Sequence, residues 1–305
     1  MDHLRYAAFL PSGSRSPVEP VSTWWTWRGR RVHIARARRP QAPMRLMVLH
    51  GAGGYSGALW PAAAHAAGGD VELLAPDLPL YGDTVEPDPA AVRYPDWVEL
   101  VCELIRRETD ADDRPLALFG ASMGGLLAYE AAARTRRVAH VAATCLLDPT
   151  DPAARRAAAR MSWTGAAAPA VLRAVDPVAG RLRMPVRWLV NMPAMSNDPA
   201  LSRLCASDPK GGGVRIPLGF VASWMNFEHT SPEEFDAAPV TLTHPAVDRW
   251  TPAELSIRFL QRIPHRTELV LLENCGHFPI EQPGLDQLAA TLRAIRDRVA
   301  GRPAS

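Results

Sequence analysis

Lysine is almost missing from this chain: Lys210 stands alone among 34 basic residues. Arginine supplies the rest, and with 32 acidic residues the net charge is only +2. A balance so close to neutral leaves no electrostatic footprint for nucleic acid. The preference for arginine and the abundance of alanine fit a GC-rich genome and carry no functional message. Cysteine is scarce too. Cys102, Cys145, Cys205 and Cys275 are far apart and form no C-x-x-C pair, which excludes a disulfide framework and a clustered zinc site. They predict free thiols in a reducing, cytoplasmic setting. Nowhere does an apolar run approach the roughly 20 residues of a membrane span. Residues 1–20 are mixed and rich in Pro and Ser, without the apolar centre of a secretory signal, and are expected to form a loose arm. What remains is ordinary for a globular protein: 305 residues, 47% hydrophobic and 22% charged, sufficient for one large domain with an insertion or for two domains.

Along the chain, Trp24, Trp25 and Trp27 lead into Arg28-Gly29-Arg30 and then the alternating Val32 and Ile34, the pattern of a hairpin. Packing is the plain reading of the three tryptophans. Short apolar runs follow at residues 45–49, 71–75, 116–119 and 138–147, separated by helical segments at 58–67, 95–108 and 126–134. Continuous apolar strands alternating with helices mean a parallel sheet covered on both faces. From Asp148 to about Ala238 this rhythm stops. A helix is expected at 153–160, and after it proline and glycine recur, with Gly211-Gly212-Gly213 as a candidate flexible point. Large apolar residues persist, among them Trp163, Trp188, Phe220, Trp224 and Met225, so the stretch reads as a folded insertion of short helices. Strands at 240–243 and 268–272, with helices at 252–262 and 285–299, then restore the alternation.

Gly120-Ala121-Ser122-Met123-Gly124 falls between a strand and a helix. A serine that must stand proud of a sheet needs a strained, sharp turn, and flanking glycines remove the Cβ atoms that would clash there. Ser122 is therefore the candidate nucleophile. An acyl transfer also needs two backbone N–H groups aimed at the developing oxyanion. Met123, directly after the serine, offers one. Ala52, in the small-residue loop His50-Gly51-Ala52-Gly53-Gly54 after an earlier strand, offers the other. Of nine histidines, His277 sits in a loop after the last strand, where an open α/β sheet binds its ligands. It is the candidate base, with His244 weaker and His50 structural. The orienting carboxylate is Asp248, between the penultimate strand and a helix, because the order Ser, Asp, His then holds along the chain. Asp148, ending the strand after the nucleophile helix, is the alternative.

With these motifs, and with Asp77-Leu78-Pro79-Leu80-Tyr81-Gly82-Asp83-Thr84, the chain resembles the α/β-hydrolase superfamily, and within it the lysophospholipase or monoglyceride-lipase-like branch, over about residues 22–300. It departs at Ala121, where that branch often has histidine. The resemblance implies a mostly parallel eight-stranded sheet flanked by helices, built from residues 1–148 and 239–305, with a largely helical cap, 149–238, inserted after the sixth strand. It implies a Ser122-His277-Asp248 triad without cofactor or metal. A serine nucleophile argues against the dehalogenase and epoxide-hydrolase branches, which use aspartate. The expected substrate is a small hydrophobic ester or thioester, with Trp60, Tyr81, Trp224 and Phe278 as candidate pocket residues. Thioester release or acyl transfer in a biosynthetic pathway is the alternative activity, and a non-catalytic ligand-binding hydrolase fold is the alternative of another kind.

Overall fold

The computed structural model describes residues 2–14, 18–158 and 168–301. Strands β1 (Val21–Trp27) and β2 (Arg30–Ala37) form an antiparallel hairpin. Its two-residue turn, Arg28-Gly29, has positive φ at both positions, as the twist of tight hairpins requires. β2 pairs antiparallel with β4 (Val71–Pro76). From there the sheet is parallel: β4, β3 (Met44–Leu49), β5 (Leu116–Gly120), β6 (His140–Ala143), then two strands from the C-terminal third, Val240–Pro245 and Thr267–Leu272. The eight strands thus include one antiparallel hairpin at an edge.

Helices cover both faces. On one side α2 (Ser56–Ala67) and the terminal helix Gly284–Val299 pack together over the alanine-rich face of the sheet. On the other lie α3 (Tyr94–Ala111) and α4 (Met123–Thr135), with Trp97, Leu104, Leu127 and Tyr129 fully buried. Arg45, at the start of β3, is itself only 1% exposed. Its guanidinium donates to the carbonyl oxygens of Glu108, Asp112 and Arg114. It thereby satisfies carbonyls that the end of α3 leaves unpaired.

The strand expected at 138–147 is shorter than the apolar run. After Ala143 the chain leaves the ladder, still buried, and its N–H groups turn to Gly120 O (from Thr144) and Ser256 Oγ (from Leu146). Between β6 and the seventh strand of the sheet come α5 (Pro152–Ala158), α6 (Ala168–Ala179), β7 (Arg183–Pro185), α7 (Val186–Leu189), α8 (Pro199–Ser207), β8 (Arg215–Pro217) and α9 (Leu218–Met225). The prolines explain the punctuation: Pro199 opens α8, and Pro185 and Pro217 immediately precede α7 and α9, positions where a missing N–H costs nothing. Beyond the expected short helices, β7 and β8 form a two-stranded antiparallel ladder. The end of the helix expected at 153–160, and Trp163, lie outside the described residues. The last strands are β9 (Val240–Pro245) and β10 (Thr267–Leu272), with α10 (Ala253–Leu260) between them and α11 (Gly284–Val299) closing the fold.

Two expectations are corrected here. The described part of the N-terminal arm is not loose: α1 (Asp2–Ala7) docks on the fold, with Tyr6 and Leu10 each 3% exposed, because an aromatic and a leucine at this spacing find apolar surface to cover. Nor is Gly211-Gly212-Gly213 a flexible point. Gly211 and Gly213 donate to Asp208 O and Gly212 to Cys205 O. A Cβ on Gly211 would lie 2.6 Å from Gly53 O, so glycine serves close approach and not motion.

Candidate active site

The chain runs from β3 outward to β4 and then returns to β5 on the other side of β3. That reversal is the point at which an open α/β sheet parts its loops and takes a ligand. The loop after β3 carries Ala52, and the turn after β5 carries Ser122. The two are held edge to edge, since Leu49 pairs with Gly120 and Ala121 N–H donates to Leu49 O at 2.9 Å. β9 and β10, farther along the same edge of the sheet, supply Asp248 and His277.

Ser122 has φ 55° and ψ −125°, a left-handed conformation that a non-glycine residue holds only under constraint. The constraint is visible. Ser122 N–H donates to Thr144 Oγ1 at 3.0 Å, and its carbonyl accepts from Gly125 N–H at 2.8 Å. A Cβ on Gly124 would sit 2.3 Å from Leu49 O, and one on Gly120 would sit 2.2 Å from Gly124 O. The two flanking glycines of the motif are thus set by close backbone contact among β3, β5 and the start of α4. Met123 begins α4, so its N–H is one of the unpaired donors of a helix N-terminus. Among the described residues neither that N–H nor the Ala52 N–H is engaged by another protein group.

His277 is buried, with Trp250 against its ring at 4.5 Å between centroids. Its Nδ1 meets Asp248 Oδ2 at 2.8 Å, whereas Nε2 is buried with no partner. Asp248 also accepts from Trp250 N–H (2.7 Å), Thr251 N–H (3.0 Å) and Thr251 Oγ1 (2.7 Å). Burial pushes this carboxyl up, but the facing imidazole and the Thr251 donors outweigh it and hold it at about 2. Asp148 bonds instead to Thr150 N–H and Oγ1, both at 2.8 Å. His244 is fully buried, its Nδ1 meeting Pro245 O, and His50 lies between Gly51 O and Leu78 N–H. Burial lowers the pKa of both rings.

Two cavities meet at Ser122. The larger, about 180 Å³, is lined by Ala52, Met123 and Trp250 from the core and by Phe220, Trp224 and Met225 of α9, among others. The smaller, about 50 Å³, holds His277 with Ser122, Ala52, Met195, Cys205 and Phe278. Trp224 lines the larger cavity and Phe278 the smaller. Trp60 and Tyr81 line neither. Trp60 faces the other side of the sheet from α2, its indole N–H donating to Val18 O. Tyr81 is sealed beneath the β3 loop, edge-on to His50 and Trp97. The cysteines lining the cavities are not competing nucleophiles, because burial raises the Cys145 thiol to about 11 and the Cys205 thiol to about 12.

Sequence reasoning missed Thr144, Thr251 and Trp250. For Thr251 a signal exists: an aspartate accepting from N–H groups two and three residues on is an Asx-type turn. Thr144 has no local signal, since it meets Ser122 only through strand pairing. Among the described residues, one grouping has the composition of a metal site, His33 with Asp77 and Asp83. Its donors are already engaged. His33 Nδ1 meets Asp77 at 2.7 Å and Nε2 meets Ser22 Oγ, Asp77 also takes Ser56 N–H, and Asp83 pairs with Lys210. This network fixes the loop after β4 and gives no cause to place an ion.

A strained serine between a parallel strand and a helix, at the switch point of a doubly covered sheet, defines a protein of the nucleophile-elbow class. The chain belongs to the alpha/beta hydrolase family, whose model matches residues 46–290. It is 40% identical over 120 residues to the AMB antimetabolite synthetase AmbE of Pseudomonas aeruginosa, a match spanning 39% of this chain but 5% of that protein. Among solved structures it is similar to a soluble variant of monoglyceride lipase from Saccharomyces cerevisiae, bound to a substrate analog. The identity is 15% and the TM-score 0.74, covering 95% of this chain and 98% of that one. It is also similar to the thioesterase domain from the curacin biosynthetic pathway, at 18% identity and TM-score 0.56, covering 90% and 98%. Among the described residues no helix is long and apolar enough to cross a membrane.

Proposed function

We propose that this protein is a serine hydrolase that cleaves the carboxylic ester or thioester of a hydrophobic acyl group. The observation that supports it most is the state of His277: one ring nitrogen bound to Asp248, the other buried, unpartnered and in the cavity shared with Ser122. A histidine so arranged is oriented by its carboxylate and has one nitrogen left to exchange a proton.

Ser122 Oγ attacks the carbonyl carbon as His277 Nε2 takes its proton, and Asp248 stabilises the imidazolium. The oxyanion is received by the Ala52 and Met123 N–H groups, pre-aimed by the abutting loops. Collapse expels the leaving group, which takes the proton from His277. Water activated by the same nitrogen then releases the acid from acyl-Ser122. The apolar walls of the larger cavity suit an acyl chain, and the 149–238 segment that supplies most of them acts as a cap.

The test is a fluorophosphonate probe followed by mapping of the labelled peptide, together with p-nitrophenyl esters and acyl-thioesters of graded chain length. The reading requires label on Ser122, none on Ser122→Ala, and turnover that Ser122→Ala abolishes. Label on another serine overturns it, and an unlabelled, inert protein supports a ligand-binding fold instead.

A further inference from the structure

Helix α1 lies outside the span matched by the family model, yet it is tied to three parts of the site. Tyr6 stacks on Phe278, the residue after the base, at 6.4 Å between ring centroids with planes 24° apart. It meets Tyr55, at the end of the Ala52 loop, edge-on at 6.2 Å. Its hydroxyl donates to Asp208 Oδ2 at 2.9 Å, and Tyr55 donates to the same oxygen at 3.1 Å. Asp208 is 1% exposed, immediately beyond α8. Lys210 bridges Asp2 of α1 (2.8 Å) and Asp83 of the β4 loop (2.6 Å). One short helix thus fastens the β3 loop, the His277 loop and the inserted segment to one another.

The consequence follows from where the proton goes. A leaving group expelled as the tetrahedral adduct collapses to acyl-Ser122 takes its proton from His277, so it departs on the side of the serine where His277 lies. That is the small cavity; His277 does not line the large one. The small cavity is lined by no Asp, Glu, Lys or Arg among the described residues and is walled by Phe278, Met195, Leu59 and the glycine loop, with His277 at its edge. Phe278 is held from behind by Tyr6 and by its own N–H bond to Met195 O at 2.8 Å.

Resting on the serine-hydrolase reading, we propose that α1 is a strap across the leaving-group side. Tyr6, as a positioning residue acting through Phe278, restricts the substrate to a slim apolar leaving group joined to a bulkier apolar acyl chain. Tyr6 does not itself line the cavity; removing its ring from behind Phe278 lets that wall recede by several methylene-sized steps, each able to shift selectivity about tenfold or more.

The experiment compares hexanoate esters of ethanol, benzyl alcohol and 2-naphthol, and separately ethyl esters of acetate, hexanoate and decanoate. Tyr6→Ala is expected to raise the naphthyl-to-ethyl ratio of kcat/KM by roughly tenfold, mostly through KM for the naphthyl ester, with the acyl-length ratios unmoved. Tyr6→Phe, which keeps the ring, should retain the parent ratio. Tyr6→Leu, which keeps apolar burial, should fall between them and serves if the alanine variant does not fold. A naphthyl-to-ethyl ratio that stays at the parent value in Tyr6→Ala or Tyr6→Leu, or an equal shift in both series, overturns the strap. Fluorophosphonate labelling of Ser122 run alongside separates the two readings: an unlabelled parent protein overturns the hydrolase, whereas a labelled one with unmoved ratios overturns only the role of α1.

Discussion

Asp248 accepts four hydrogen bonds from the loop it begins and from His277. It is thus held in one orientation before any substrate arrives. Asparagine in its place keeps the shape but can turn an amide N–H toward Nδ1, leaving the imidazole in the wrong tautomer. Asp248→Asn should lower kcat by about 10⁴-fold, while Asp148→Asn, remote from the ring's partners, should have little effect in the same assay. The depressed carboxyl also has a folding consequence. A group held at about 2 in the fold, against 3.8 when unperturbed, contributes stability that is complete above about pH 4 and is lost as pH falls through about 2. Urea unfolding of the parent and Asp248→Asn across pH 5 to 2 should therefore show the difference in stability shrinking toward the acid end. A difference that grows there would mean that the carboxylate is not the group being held.

At the scale of the element, the turn between β5 and α4 works because β3 presses on it from behind. Gly124→Ala would set a methyl 2.3 Å from Leu49 O, and that obstacle is strand backbone, not a side chain that can swing aside. The expected cost is about 1–3 kcal/mol of overpacking, read as a lower urea midpoint, with kcat falling further than stability alone explains because the Met123 N–H moves with the turn. The elbow with its two glycines and Ser122 was legible in the sequence, because strand, sharp turn and helix succeed each other within ten residues. Elements with strong apolar periodicity, such as α3 with Trp97, Leu100, Val101 and Leu104 on its buried face, were equally legible. Other features rest on contacts between residues far apart in sequence. The segment of α1 looked like a loose arm because Tyr6 finds its partners at the sequence-distant Tyr55, Asp208 and Phe278. Trp60, named as a candidate pocket residue, instead lies in the core on the α2 side of the sheet, its indole N–H donating to Val18 O.

For the molecule as a whole, the distribution of apolar surface between core and inserted segment sets the last prediction. The larger cavity is lined by Ser122, Met123 and Trp250 on one side and by Leu172, Ile216, Phe220 and Trp224 on the other, the latter from the segment proposed above as a cap. The first side is bound into the sheet and cannot be reshaped without moving Ser122. The facing side chains from α9 carry neither the triad nor the oxyanion donors, so they can be changed without altering the elbow's own residues. Trp224 and Met225 are each 8% exposed and border the cavity from α9. Replacing either with alanine removes several buried carbons from that wall and leaves the N–H donors and the Asp248–His277 pair untouched. Longer acyl chains should then gain relative to short ones by about tenfold in kcat/KM, the scale of one or two methylene contacts. The rate of Ser122 labelling by a small fluorophosphonate should stay within a few-fold of the parent. Equal losses on acetate and decanoate esters, with selectivity unchanged, would show that the segment stabilises the fold without selecting the acyl chain. A gain confined to long chains would place the boundary of the acyl pocket at α9.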